Sequence, residues 1–167
     1  HLDSITHLDG LELAAVCDIK QERAQAAADK YHTKAYTDYH RLLEEEKPDA
    51  VHLCLPHYLH TPVAQEAFRA GVHVLSEKPM SIRYEDAEET VRLAEKCGLQ
   101  YGVIFQCRYN TPSRLVKKRI EDGRLGRVKC ARSTLTWYRP DDYYAGSDWK
   151  GTWDKEGGGV IIDQAIH

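Results

Sequence analysis

The stretch AVHLCLPHYLHTPVAQEAFRAGVHVLS, residues 50–76, decides the fold. It opens on the apolar run Ala50 to Leu55, too short and continuous for a surface helix and bounded by Pro48 and Pro56, which suits a buried strand. Thr61 then caps a helix and Pro62 fits its first turn. Val63, Ala67 and Phe68 fall on one face, and Gly71 supplies the stop. Val72 to Ser76 follows as a second strand. Strand, helix and strand in this order make a βαβ unit, the building block of a parallel sheet.

The same alternation extends in both directions. Downstream, Ser81 caps a helix whose Ala87, Val91, Ala94 and Cys97 recur at spacings of three and four; Gly98 ends it and Tyr101 to Phe105 returns as a strand. Upstream, Leu11 to Cys17 is strand-like, and Gln21 to Tyr31 is a helix with Ala24, Ala27, Ala28 and Tyr31 on one face. The fold class is therefore α/β, a Rossmann-like doubly wound parallel sheet, in which ligands bind beyond the carboxyl ends of the strands. Past Phe105 the pattern changes. Pro112 to Gly123 predicts one more helix, and Val128 to Tyr138 alternates like an antiparallel strand. A second domain is expected from residue 106, leaving 1–105 for the first.

Composition agrees with a globular protein: 42% hydrophobic and 29% charged residues. A net charge of -3 gives nucleic acid no electrostatic reason to bind. No window approaches the roughly 20 apolar residues that span a bilayer, so a cytoplasmic location is the default expectation. The five cysteines, Cys17, Cys54, Cys97, Cys107 and Cys130, are odd in number and contain no C-x-x-C pair. Reduced thiols acting as small apolar packers are expected.

Three places can carry chemistry. Asp18 directly follows the strand ending at Cys17, where a dinucleotide-binding domain places an acid against ribose hydroxyls; a plain turn aspartate is the alternative. Glu77-Lys78-Pro79 follows Val72 to Ser76, which puts an ammonium group at the carboxyl edge of the sheet, where a lysine can hydrogen-bond a substrate hydroxyl. A solvated loop lysine is the alternative there. In GGGVIIDQAIH, residues 157–167, the glycines allow close backbone approach, and a helix would put Asp163 and His167 on one face. Such a pair holds an imidazole ready to accept a hydroxyl proton, unless it is merely a surface pair.

Taken in order, Asp18, Pro56-His57-Tyr58-Leu59-His60, Glu77-Lys78-Pro79, Gln106-Cys107-Arg108 and GGGVIIDQAIH resemble the glucose-fructose oxidoreductase, inositol dehydrogenase and rhizopine-catabolism (Gfo/Idh/MocA) family along nearly the whole chain. The resemblance implies a sugar or polyol dehydrogenase using NAD, or NADP, with a small-molecule substrate, no nucleic acid and no membrane, and a homo-oligomeric parent. It makes Lys78, Asp163 and His167 the catalytic set. It assigns Asp18, Pro56, His57, His60, Glu77, Lys78, Pro79, Gln106 and Arg108 to the cofactor, with His57 and Gln106 at positions where many relatives carry Asn. It also implies a cis Lys78–Pro79 bond. The family's G-x-G-x-x-G loop is not in these 167 residues. The chain therefore reads as the middle of a longer protein, inactive alone, whose sheet lacks its central first strand.

Two further expectations concern side chains outside that set. Trp137, Tyr138, Tyr143, Tyr144, Trp149 and Trp153 form an aromatic stretch ahead of the glycines, with Trp149 and Trp153 the first candidates to stack on a sugar ring. The nine histidines fit no H-E-x-x-H pattern, and no metal is expected. A cofactor-binding regulator without turnover is the rival reading of the same fold.

Overall fold

A computed structural model describes all of residues 1–167. The chain condenses into two compact units that alternate along the sequence. His1–Leu53, Val63–Leu75 and Thr90–Gly102 form the first; Cys54–Pro62, Ser76–Glu89 and Val103–His167 form the second.

The elements run in the order α1 (Leu2–His7), β1 (Ala15–Cys17), α2 (Gln21–Tyr31), β2 (Lys34–Tyr36), α3 (Tyr39–Glu46), β3 (Ala50–Leu53), α4 (His60–Arg69), β4 (His73–Glu77), α5 (Tyr84–Cys97), β5 (Tyr101–Ile104), α6 (Thr111–Glu121), α7 (Asp141–Ala145) and α8 (Val160–Asp163). The strands form two sheets, a parallel β1–β2 pair and a β3–β4–β5 set joined through α4 and α5. A doubly wound sheet pairs its first strand on both sides. No strand of this chain takes that central place, so the sheet stays in two pieces.

Burial follows the periodicity. Val63, Ala67 and Phe68 on α4 are 7%, 0% and 1% exposed, and Val72 and Val74 are buried beside them. Phe68 meets Tyr101 edge-on, with ring centroids 5.4 Å apart. Ala24 and Ala28 bury the inner face of α2, and Ala94 that of α5. Gly71 closes α4 at φ +82°, a conformation in which an L side chain would be strained.

Some elements differ from the sequence-based expectation. β1 is only Ala15–Cys17, because its partner β2 offers three residues in register, Ala15 to Lys34 through Cys17 to Tyr36, and Leu11 is left exposed. β2 and α3 escape the reading altogether. Their signals are short: Asp38 caps α3 through the His40 N–H at 2.9 Å, and Leu42 and Leu43 are its buried residues. The antiparallel strand expected over 128–138 does not form. A strand needs a neighbour to satisfy its backbone, and no other strand follows Ile104. The cysteines are all free, but Cys17, Cys54, Cys97 and Cys130 are exposed rather than packed. No helix is long and apolar enough to cross a membrane.

Candidate active site around Lys78

Lys78 sits just past the end of β4, on a loop that turns at the cis Lys78–Pro79 bond, in agreement with the expectation. Its ammonium reaches the other end of the second unit. Nζ donates to the main-chain oxygen of Asp163 at 2.5 Å and to its Oδ1 at 3.2 Å. Both side chains are largely enclosed, 14% exposed for Lys78 and 10% for Asp163. The other carboxylate oxygen, Oδ2, accepts from the Tyr143 hydroxyl at 3.1 Å. Two cations lie against the Tyr143 ring, Lys150 Nζ 3.6 Å and the Arg139 guanidinium 4.9 Å from its centroid. Burial alone would raise the Asp163 carboxyl, but the Lys78 hydrogen bond and charge, with the Tyr143 hydroxyl, hold it below the ordinary carboxylate value.

Two loops are bolted to this pair. His60 is fully buried, with Nδ1 2.6 Å from the carbonyl oxygen of Pro79 and Nε2 2.8 Å from that of Leu55. Both ring nitrogens face carbonyl oxygens, so the ring ties the loop after β3 to the loop bearing Lys78. His57 is 4% exposed and directs Nδ1 to the carbonyl oxygen of Glu156 at 2.9 Å, while the Tyr58 N–H donates to the carbonyl of Lys155 at 3.1 Å. Burial first, then the nearby Lys78 charge, keep the His57 imidazole below its ordinary value despite that hydrogen bond. The Trp149 ring lies 4.8 Å from it.

The glycines let α8 approach. Gly157 has φ +90°, and a Cβ there would lie 2.6 Å from Ile82 Cβ and 2.9 Å from Ile162 Cδ1. Gly157→Ala should therefore cost about 2–4 kcal/mol, from strained backbone plus overpacking. Chemical denaturation checks this; a variant as stable as the parent would contradict the close approach.

α8 ends at Asp163, so Asp163 and His167 do not share a helix face as the spacing suggested. The carboxylate is taken by Lys78 and Tyr143 instead. His167 lies beyond the helix with Nδ1 buried and unpartnered, its ring 6.4 Å from that of Trp137. Burial and the Lys78 charge lower its protonation, outweighing Glu77 and Asp163.

The remaining candidates are less enclosed. Glu77 accepts the Lys78 N–H at 3.1 Å, and Pro56 is half-buried. Gln106 and Arg108 are exposed, the Arg108 guanidinium lying 5.0 Å from the Phe105 ring. Trp153 is 83% exposed, so of the two tryptophans only Trp149 joins the cluster. In the first unit, Asp18 follows β1 as expected, but its Oδ1 accepts the Lys20 N–H at 2.8 Å and its Oδ2 lies 3.8 Å from Arg23. A hollow of about 640 Å³ lined by His40, Leu43, Glu66, Val72 and His73 contains none of these residues.

Sequence reading missed Glu156. It is 1% exposed, its Oε2 accepts the Gly151 N–H at 2.5 Å and its Oε1 has no partner. The only signal was a carboxyl directly before three glycines.

Comparisons with known proteins identify the family. The Gfo/Idh/MocA pattern described as an oxidoreductase family with an NAD-binding Rossmann fold matches residues 1–105, and the family's C-terminal domain matches residues 113–167. D-glucoside 3-dehydrogenase of Escherichia coli (strain K12) is 36% identical over 165 residues, covering 94% of this chain and 44% of that protein. Inositol 2-dehydrogenase of Salmonella typhimurium is 34% identical over 122 residues, covering 71% of this chain and 36% of that protein. The WlbA dehydrogenase of Bordetella pertussis, solved with NADH and UDP-GlcNAcA, superposes with a TM-score of 0.93 at 37% identity over 99% of this chain and 51% of its own. The chain thus spans about half the length, or less, of these relatives. With family models matching residues 1–105 and 113–167, the chain belongs to the Gfo/Idh/MocA oxidoreductase family, with an NAD-binding Rossmann domain.

Proposed function

We propose that the full-length protein is a nicotinamide-dependent dehydrogenase acting on a secondary alcohol of a sugar, inositol or related polyol. The observation that carries this reading is the enclosed Lys78–Asp163 pair, whose charges reach His167, an imidazole with its buried Nδ1 unpartnered. A cation and a neutral imidazole beside it are what a carbinol needs: the ammonium hydrogen-bonds the hydroxyl oxygen and the imidazole takes its proton. Asp163 holds the lysine, and His60 and Pro79 fix the loop on which it turns.

The donor set suits the cofactor in part. Asp18 offers a carboxylate at the end of β1 for ribose hydroxyls, and Pro56, His57, Glu77, Gln106 and Arg108 are assigned to the nicotinamide side; residues 1–167 hold no glycine loop for the pyrophosphate. When bound, the nicotinamide supplies the hydride acceptor or donor. The Asp18 charge disfavours a 2'-phosphate, which makes NAD the preferred form, although Arg23 and Lys20 lie close to it. We assign 1–105 to the cofactor domain and 106–167 to the start of the substrate domain. The parent is taken to be a cytoplasmic homo-oligomer.

The test is NAD reduction by the full-length protein with a panel of glycosides, nucleotide sugars and inositols. Turnover on at least one class supports the reading. Saturable NADH binding with no turnover across the panel would move the assignment to a cofactor-binding regulator.

A further inference from the structure

We propose that Glu156 is a positioning residue that keeps its proton in the folded protein, so that the buried cluster around Lys78 balances one ammonium with one carboxylate. This rests on the reading of that cluster as the active site, but its main test does not require turnover.

His57, Glu156 and Asp163 bring one ring nitrogen and two carboxyl oxygens within 4.8 Å of one another, and all three residues are buried. Because His57 Nδ1 faces the Glu156 carbonyl, that nitrogen carries the ring N–H, and Nε2 is left as an acceptor. Asp163 is committed as an anion by Lys78 and Tyr143. If Glu156 were also ionised, two carboxylates and an imidazole lone pair would share a buried space in which Lys78 is the one ammonium that hydrogen-bonds a carboxylate. Lys150 is itself placed over the Tyr143 ring.

The Glu156 side chain has a single hydrogen bond to spend on an anion, the Gly151 N–H to Oε2, and Oε1 receives none. A buried carboxylate normally gathers several donors; a neutral carboxyl needs fewer and supplies a donor of its own. The charged groups acting on it are Asp163, Lys150 and Lys78, with His57 in the same cluster. Burial first, then the Asp163 charge, push this carboxyl above its ordinary value, against the Gly151 hydrogen bond and the two lysines. With Glu156 neutral, the Lys78 ammonium faces one anion and not two.

Linkage sets the sign. A carboxyl whose value is raised on folding contributes stability that is fully present below its unfolded value of about 4.3 and is lost as pH rises through the folded value. Glutamine mimics the protonated form without titrating. Glu156→Gln in the full-length protein should therefore melt higher than the parent near neutral pH, by about 2–4 °C, with the gap closing toward pH 4. It should also keep kcat within about threefold, whereas Glu156→Ala, which removes the side chain, lowers kcat at least tenfold.

The measurement is the melting temperature of parent and Glu156→Gln from pH 4 to 8, with kcat and bound metal determined alongside. A gap that widens with pH in favour of glutamine supports a retained proton. A glutamine variant that falls further below the parent as pH rises would show that the ionised carboxylate stabilises the fold and overturn the proposal, as would a stoichiometric divalent metal lost on substitution. Should the active-site reading fail, turnover disappears for every variant while the melting comparison still decides the charge of Glu156.

Discussion

Lys78→Ala in the full-length protein lowers kcat by roughly two to four orders of magnitude while NADH affinity stays within a few-fold. The lysine is 14% exposed, sits at the carboxyl end of β4 and is aimed by two hydrogen bonds to one residue, so neither water nor a neighbouring cation replaces it. Most of the residues proposed to hold the cofactor are other than Lys78, so binding is expected to survive. The substitution also strands Asp163, leaving it the Tyr143 hydroxyl and no cation, so folding must be checked at the assay temperature. Near-normal turnover by a folded variant would remove Lys78 from the chemistry.

The second large effect is on stability. Asp163→Ala leaves the Lys78 ammonium buried without its carboxylate and the Tyr143 hydroxyl without its acceptor, and removing one partner of a buried ion pair costs about 3–5 kcal/mol. The same carboxylate predicts the acid limb of unfolding. Its value is lowered on folding because Lys78 and Tyr143 outweigh the burial that would raise it. Its stabilisation is thus present above the unfolded carboxyl value of about 3.9 and is lost as pH falls through the folded value. Urea midpoints for the parent and Asp163→Asn should converge as the solution is made acid and separate toward neutral pH. Midpoints separated by the same amount at every pH would show that Asp163 is not held as an anion.

The βαβ framework was legible because burial there follows strict periodicity: the Val63, Ala67, Phe68 face and the Gly71 stop are visible in the letters and buried in the fold. β2 was not, since three residues, Lys34 to Tyr36, give no alternation to count. The expected strand over 128–138 failed for a different reason. Alternation describes how a segment would sit in a sheet, not whether a partner is present.

At the site, Lys78 and Asp163 were legible by position along the chain, but their contact was not. The spacing of Asp163 and His167 suggested a mutual pair, whereas α8 stops at Asp163 and the carboxylate turns to a lysine 85 residues away in sequence. Tyr143 was visible only as one member of an aromatic stretch. Glu156 was invisible because a glutamate is normally read as surface, and only the packing of residues 151–157 buries it.

The most direct test of the central claim follows the hydride itself. A substrate found in the panel assay is deuterated at its carbinol carbon and oxidised by the full-length protein with NAD, and the NADH formed is examined by mass spectrometry and NMR. Deuterium at C4 of the nicotinamide, on one face only and absent with Lys78→Ala, is the predicted result. Deuterium lost to solvent, or product formed without NADH, would contradict hydride transfer at this site.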